Sequence, residues 1–223
     1  AELLGPGRML RRLVESKTLR SAVFLGPPGV GKTALARIVA AGADAAMVEL
    51  NAVAAGVADL KKALEAARYR LAQEKRRTLL LVDEIHHFNR TQQDILLPAV
   101  ERGEAILVGM TTENPSFYVN AALLSRATAF EFMPLGSEPL GALLDRALAD
   151  EARGLGDSKA FLDPDAREHL VRMSGGDARR ALNALELAVL STPLAMDGRR
   201  RVSLPAAEES IRSRAVRYDK SSD

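Results

Sequence analysis

Short apolar runs alternate with segments of helical periodicity along roughly the first 135 residues. The apolar runs fall at 22–25, 47–50, 79–82, 106–108 and 130–132. Between them, helical spacing begins at Lys32 and recurs over about 58–73 and 90–101. Continuous apolar runs of this length are typical of strands buried on both faces. The alternation therefore predicts an α/β domain over residues 1–135, with a five-stranded parallel sheet covered by helices.

The strand signal fades after Pro134, and the apolar positions then take helical spacing. Examples are Leu140 with Leu144, and Leu182 with Leu185. We expect a small helical domain over 136–192. The segment 193–223 is predicted to hold a loop, a short helix over about 205–214 and a polar tail.

A glycine-rich loop follows the first predicted strand and opens the first predicted helix. Its pattern, G-x-x-x-x-G-K-T, spans Gly26, Pro27, Pro28, Gly29, Val30, Gly31, Lys32 and Thr33, with Ala34 next in the helix. Glycines let backbone N–H groups wrap around a phosphate, and the helix directs its positive end at the same group. Lys32 would contact the β- and γ-phosphates, and the Thr33 hydroxyl would bind Mg²⁺. Chance gives about one such match per hundred chains of this length, so we predict ATP or ADP binding.

Two acids, Asp83 and Glu84, follow the third predicted strand. In parallel sheets ligands bind beyond the carboxyl ends of the strands, so Asp83 is placed to hold Mg²⁺ and Glu84 to polarise the attacking water. Acids also follow strands as ordinary turn residues. The phosphate loop earlier in the chain favours the catalytic interpretation.

Four further positions have weaker support. Thr112 and Asn114 follow the fourth predicted strand and, in a sheet of order 5-1-4-3-2, could contact the γ-phosphate or the water; a simple turn explains them about equally well. Arg126 and Arg179 lie just before the fifth strand and at a helix start. Most arginines are solvated surface groups, which is the alternative for both.

Composition narrows the function classes only modestly. The chain has no cysteine and three histidines, which excludes thiol catalysis and disfavours a histidine-built metal site. No apolar run approaches the length of a membrane span. A net charge of +2 neither indicates nor excludes a nucleic-acid partner. The basic runs 75–77 and 199–201 are better explained as solvated surface than as DNA contacts.

Several strings together resemble a known family. The loop 26–33, the pair 83–84 and the string 176–183 resemble AAA+ ATPases of the clamp-loader branch. The strings 82–94, 111–117 and 121–126 are similar to the replication-associated recombination protein A family, which is itself similar to Werner-helicase-interacting protein. The segments 3–7 and 218–220 also match that family. The resemblance implies an AAA+ P-loop fold of strand order 5-1-4-3-2, followed by an all-helical lid.

The same resemblance implies roles for individual residues. Thr112 would be the first sensor, and Arg179 the second sensor, on the lid. Arg126 would be an arginine finger that reaches the ATP of a neighbouring subunit. Leu3 and Leu4 would line the adenine pocket, and Asn51 would tether Glu84 in the absence of substrate.

The resemblance also implies partners and a cellular role. The family handles stalled replication forks, so we expect a cytoplasmic, nucleoid-associated homo-oligomer (a tetramer or hexamer) that acts on forked or single-stranded DNA ends, with single-strand-binding protein as a candidate partner. We expect this chain to be an excised ATPase core, monomeric by itself and slow at hydrolysis. A nucleotide-gated adaptor that recruits repair factors is the alternative function, and a clamp-loader subunit is a third.

Overall fold

The computed structural model describes residues 8–16 and 18–218, with the backbone alone for 213–218. Two compact units make up the chain. The first comprises the residues up to Pro27 together with Gly31–Phe132, and the second comprises Pro28–Val30 together with the chain from Met133 onwards. Leu3 and Leu4 lie outside the described residues, and their role stays a prediction.

A five-stranded parallel sheet forms the centre of the first unit. Its strands are β1 (Ala22–Leu25), β2 (Ala46–Asn51), β3 (Thr78–Asp83), β4 (Ala105–Thr111) and β5 (Thr128–Glu131). Their order is β2-β3-β4-β1-β5, with β1 paired to β4 on one side and to β5 on the other. The predicted sheet order is therefore confirmed. The carboxyl ends of all five strands lie along the same edge of the sheet, and ligands bind at this edge in sheets of this type.

The described residues of the first unit form six α-helices. They are α1 (Met9–Glu15), α2 (Lys32–Gly42), α3 (Val57–Glu74), α4 (Arg90–Glu101), α5 (Pro115–Tyr118) and α6 (Ala121–Leu124). The start of α4 shows how local sequence sets a boundary. The Asn89 side chain accepts a hydrogen bond from the Gln92 backbone N–H, and the Gln92 side chain accepts one from the Asn89 N–H. This reciprocal pair satisfies two amide groups that the first turn leaves without helical partners.

The interior strands are buried along nearly their whole length. All seven residues of β4 are buried, as are the first five of β3. These strands are continuous apolar runs because helices cover both faces of the sheet. Leu60, Leu64 and Leu96, from α3 and α4, pack against Leu80 and Leu107 in one apolar cluster.

The second unit is mainly helical but also contains a small sheet. Its helices are α7 (Ser137–Ala149), α8 (Pro164–Met173), α9 (Ala178–Ser191) and α10 (Leu204–Tyr218). Two strands, β6 (Ala160–Leu162) and β7 (Arg200–Val202), pair in parallel. The lid is thus not all-helical, and β7 lies where the sequence predicts a loop. A three-residue strand is too short to show an alternating pattern, so it gives no recognisable signal.

The last segment packs into the core of this same unit. Val202, Ala207 and Ile211 are buried in one cluster with Leu170 from α8 and Leu185 from α9. The residues from 193 to 211 therefore fold as part of the second unit rather than standing apart from it. Among the described residues, no helix is both long enough and apolar enough to cross a membrane.

Candidate functional site

The loop between β1 and α2 has the backbone of a phosphate-binding loop. Gly26, Gly29 and Gly31 have φ values of 151°, 70° and 94°, in the region that favours glycine. A Cβ on Gly26 would lie 2.4 Å from the Phe132 carbonyl oxygen. The Gly26 N–H donates to the Thr111 carbonyl at 3.1 Å, which ties the start of the loop to the end of β4.

The tip of the loop, residues 28–30, groups with the second unit. The Gly29 carbonyl accepts a hydrogen bond from the Ala178 N–H at 3.0 Å, at the first turn of α9. A Cβ on Gly29 would lie 1.7 Å from a carboxylate oxygen of Asp177, the N-cap of α9. The backbone conformation therefore favours glycine here, and a Cβ would also displace the Asp177 carboxylate that accepts from the Arg180 N–H.

Lys32 and Thr33 lie in the first turn of α2. The Lys32 ammonium donates to the carbonyls of Gly26 and Pro27 at 2.6 and 2.8 Å, which folds it back over the loop. The Thr33 hydroxyl lies 3.7 Å from the sulfur of Met110 on β4. Both side chains are partly buried on the loop side of the helix, whereas Ala34 is exposed.

Asp83 ends β3, and Glu84 follows it in a left-handed conformation with φ 52° and ψ 46°. The Glu84 N–H donates to a carboxylate oxygen of Asp83 at 3.1 Å. A short 3₁₀ turn, Ile85–His87, comes next, and the Ile85 side chain is fully buried. Gly109 on β4 makes room for it, because a Cβ there would lie 2.8 Å from Ile85 Cδ1. Burial of Ile85 thus holds the two acids at the edge of the sheet.

His86 and Thr111 complete this edge, and the sequence did not single out either as a site residue. His86 Nδ1 lies 2.9 Å from the Thr111 hydroxyl and 3.3 Å from Glu84 Oε2. Thr111 is fully buried at the end of β4, and its hydroxyl accepts a hydrogen bond from the Glu113 N–H. The only signal was adjacency, since Thr111 precedes the predicted first sensor and His86 comes two residues after Glu84.

The other polar candidates near this edge have different surroundings. Thr112 is exposed, just past the end of β4. The Asn114 side chain accepts a hydrogen bond from the Ser116 N–H and caps α5. The Asn51 side chain accepts one from the Val53 N–H at 2.9 Å, within its own turn. The polar group placed against Glu84 is therefore His86 and not Asn51.

The two candidate arginines lie in different units. Arg126, just after α6, forms an ion pair with Glu101 at 2.7 Å and donates to the Ala122 carbonyl at 2.9 Å, with its side chain 42% exposed. Arg179 is exposed in the first turn of α9, in the second unit.

The basic run 199–201 has internal partners. Arg201 forms an ion pair with Asp163 at 2.9 Å, and Arg200 donates to the Thr192 carbonyl. Hydrogen bonding to Asp163 raises the pKa of Arg201 above its ordinary value. These contacts favour a structural explanation for the run over a DNA-binding one.

The residues at this edge fit a magnesium nucleotide. The loop offers backbone N–H groups, a helix start and an ammonium group, which together suit phosphate. The Thr33 hydroxyl and the Asp83 carboxylate are oxygen donors of the kind that Mg²⁺ prefers. Glu84 Oε2 is buried without a hydrogen-bond partner in the described part of the chain, and such orphaned groups mark functional positions.

Family models match both units. The model of the ATPase family associated with various cellular activities (AAA) matches residues 22–135. A second model, an AAA C-terminal domain, matches residues 156–223.

Curated relatives match nearly the whole chain. Replication-associated recombination protein A of Bacillus subtilis is 40% identical over 99% of this chain and 51% of its own length. The ATPase WRNIP1 of Dictyostelium discoideum is 44% identical over 81% of this chain and 20% of its own. These matches confirm the resemblance expected from the sequence. The chain spans about half the length of the recombination proteins it matches.

Among solved structures, the Thermotoga maritima RuvB Holliday junction branch migration motor matches with a TM-score of 0.72. It is 23% identical and covers 92% of this chain and 66% of its own. At this identity the likeness supports the fold alone.

Proposed function

The chain belongs to the ATPase family associated with various cellular activities (AAA), and from this premise we propose that it hydrolyses ATP to ADP and phosphate at the edge formed by β1, β3 and β4. One observation carries the proposal. The phosphate loop after β1 and the Asp83–Glu84 pair after β3 lie at the same edge, on either side of β4. Binding groups for phosphate and a base for water are therefore supplied by two strands that both pair with β4.

Glu84 is the base in this proposal. Its carboxylate takes a proton from a water molecule whose oxygen attacks the γ-phosphorus, and the bond from that phosphorus to the β,γ-bridging oxygen breaks. ADP leaves with the bridging oxygen. The left-handed backbone of Glu84 supports the assignment, because residues held in sparsely populated conformations cluster at active sites.

Lys32 and the loop amides bind and orient the phosphates. The two carbonyls that now hold the Lys32 ammonium would yield it to phosphate oxygens. Thr33 and Asp83 would hold Mg²⁺, and the ion neutralises negative charge that develops on the phosphate oxygens.

The remaining site residues come from the family resemblance. We propose that Thr112 is the first sensor, that Arg179 is the second, and that Arg126 completes the site of a neighbouring copy. The exposure of Arg126 at the end of α6 supports this, because a residue that acts on a neighbour must be accessible.

The role of the longer protein follows from its relatives. Relatives at about 40% identity are named for replication-associated recombination. We therefore propose a cytoplasmic, nucleoid-associated oligomer that uses ATP hydrolysis to remodel forked or single-stranded DNA, or the proteins bound there.

Two substitutions test the ATPase assignment, with ATP binding and phosphate release measured separately. Lys32→Ala should weaken ATP binding roughly 10- to 100-fold through loss of a charged hydrogen bond. Glu84→Gln should retain ATP binding and lower kcat roughly 10²- to 10⁴-fold through loss of the base. Lys61→Ala and Glu65→Gln, both exposed on α3, serve as matched controls. Unchanged hydrolysis in Glu84→Gln would overturn the assignment.

A DNA titration tests the cellular role. Forked and single-stranded DNA should raise the ATPase rate, and duplex DNA of the same length should do so less. If no DNA alters the rate while Glu84→Gln retains fork function in cells, an ATP-gated adaptor replaces the remodelling proposal.

A further inference from the structure

His86 lies between oxygen atoms that belong to two neighbouring strands. Its Nδ1 is 2.9 Å from the hydroxyl of Thr111, at the end of β4. The same nitrogen is 3.3 Å from Oε2 of Glu84, the residue just past β3. Nδ1 of His86 therefore lies between the Glu84 carboxylate and the end of β4.

The partners of Nδ1 determine where the imidazole proton resides. An ionised carboxylate can only accept hydrogen bonds. The Thr111 hydroxyl accepts from the Glu113 N–H and lies within hydrogen-bond distance of both Nδ1 and the Glu113 carbonyl, so with its hydrogen on that carbonyl it also accepts from Nδ1. A bare Nδ1 would set its lone pair against the carboxylate 3.3 Å away, which favours a proton on Nδ1.

Packing fixes the orientation of the His86 ring. The side chain is 13% exposed. The ring of Tyr118, on α5, lies edge-on to it, with 5.9 Å between the ring centroids. The centroid of the His87 ring lies 4.3 Å from that of His86. His87 itself is exposed. A ring held in this way can define the direction of its N–H, which a mobile surface histidine cannot.

The Glu84 carboxylate is asymmetric in its surroundings. Oε2 is buried and makes no hydrogen bond within the described residues, although His86 Nδ1 lies 3.3 Å away. The side chain as a whole is 34% exposed, so the exposed area belongs to its other atoms. One oxygen therefore faces the protein, and the rest of the carboxylate side chain is open to solvent.

We propose that His86 is a positioning residue for Glu84. Its Nδ1, hydrogen-bonded to Thr111, attracts Oε2 from 3.3 Å, which keeps that oxygen turned inward and leaves the other carboxylate oxygen for the attacking water. This inference rests on the proposed role of Glu84 as the base. Because the contacts described for the ring are with Glu84, Thr111, His87 and Tyr118, its loss should affect turnover more than ATP binding.

The first test needs no nucleotide. The chain has three histidines, so ¹⁵N-histidine labelling with long-range ¹H–¹⁵N spectra resolves each ring, and the signals absent from His86→Asn identify His86. We expect a proton on Nδ1 of His86. A neutral ring with the proton on Nε2 alone would overturn the proposal.

The second test compares two amides at position 86. The Asn side-chain N–H₂ group superimposes on Nδ1, whereas that of Gln reaches the position of Nε2. His86→Gln should lower kcat roughly 10- to 100-fold, as loss of an orienting partner typically does, with KM for ATP changed less than about twofold. His86→Asn should retain most of the wild-type kcat, and His87→Asn all of it.

Several outcomes contradict the proposal. They are wild-type kcat in His86→Gln, equal losses in His86→Asn and His86→Gln, or a change confined to KM. Circular dichroism establishes whether each variant is folded. If His86→Gln does not fold, the tautomer of His86 and the activity of His86→Asn still test the proposal. If Glu84→Gln hydrolyses ATP normally, the proposed function fails by itself, whereas the tautomer measurement remains a valid test of the contact.

Discussion

Glu84, the proposed base, adopts a backbone conformation that few residues with a side chain tolerate. Its φ of 52° follows from two neighbours: Asp83 completes the hydrogen-bonded edge of β3, and Ile85 must enter the core beside Gly109. The chain therefore has to turn sharply at one residue. At the other side of the site, Gly26 turns the phosphate loop with a φ of 151°. At both positions the geometry of the proposed site depends on an uncommon backbone conformation.

Gly26→Ala should destabilise the first unit by roughly 2–4 kcal/mol, because the methyl group strains the backbone and also collides with the Phe132 carbonyl. Gly103→Ala is the matched control. Gly103 also has positive φ, but a Cβ there meets nothing within 4 Å, so backbone strain alone predicts a loss of roughly 1 kcal/mol. Urea unfolding followed by circular dichroism compares the two. Equal losses would mean that close approach to Phe132 is unimportant.

Some elements of the structure can be predicted from the sequence, and others cannot. The phosphate loop and β3 were predictable because a contiguous motif and a continuous apolar run carry the signal locally. The contact of His86 with Thr111 was not, because it depends on the pairing of β3 with β4 and on the turn at Glu84. The strand β7 was also missed, since three residues with two arginines do not resemble a strand until Val202 is seen to be buried.

The start of β4 is held by a charged cluster around Glu104. Its carboxylate pairs with Arg102 and with Arg68 of α3, at 2.5 and 2.8 Å, and is itself 15% exposed. Hydrogen bonds from Arg102 and then Arg68 hold the pKa of Glu104 below its ordinary value, against the opposing effect of burial. A lowered pKa in the folded state stabilises the fold above the unfolded pKa of about 4.3, and this contribution is lost as pH falls through the folded value.

Glu104→Gln should therefore lower the free energy of unfolding by about 1 kcal/mol at neutral pH, because the variant loses two charge-assisted bonds to partly exposed arginines. The difference from wild type should narrow as pH falls below about 4.3. Urea midpoints measured from pH 7 to pH 3 follow the difference directly, with Glu65→Gln on α3 as the control. A difference that stayed constant with pH would exclude the ionised carboxylate as its source.

At the scale of the molecule, the Arg126 guanidinium lies on the surface of the first unit, in an ion pair with Glu101 of its own chain. In the proposed assembly this arginine would act on a neighbouring copy. The pair with Glu101 then has to open when the neighbour binds, and since both side chains are 42% exposed, the cost of opening it is small. The ion pair, with the hydrogen bond to the Ala122 carbonyl, gives the guanidinium partners without burying it.

Mixing two inactive variants tests this arrangement. At concentrations where the chain self-associates, Arg126→Ala should lower kcat roughly 10³-fold or more, as loss of an arginine finger does. Addition of Glu84→Gln, which is inactive but supplies Arg126, should restore part of the phosphate release. Arg37→Ala, which breaks the surface pair with Glu49, is the matched control. If the mixture stays as inactive as its components, Arg126 does not act across an interface.

The position of β4 in the sheet determines which strands can unfold locally. All seven of its residues are buried, and it lies between β3 and β1, whereas β2 and β5 form the outer edges. Local fluctuations start where few apolar contacts hold the backbone, so the outer strands can open while the middle of the sheet stays closed. Thr111 and the backbone that anchors Gly26 are at the end of this central strand. We therefore expect the backbone that anchors the proposed site to be among the last parts of the first unit to exchange its amide hydrogens with water.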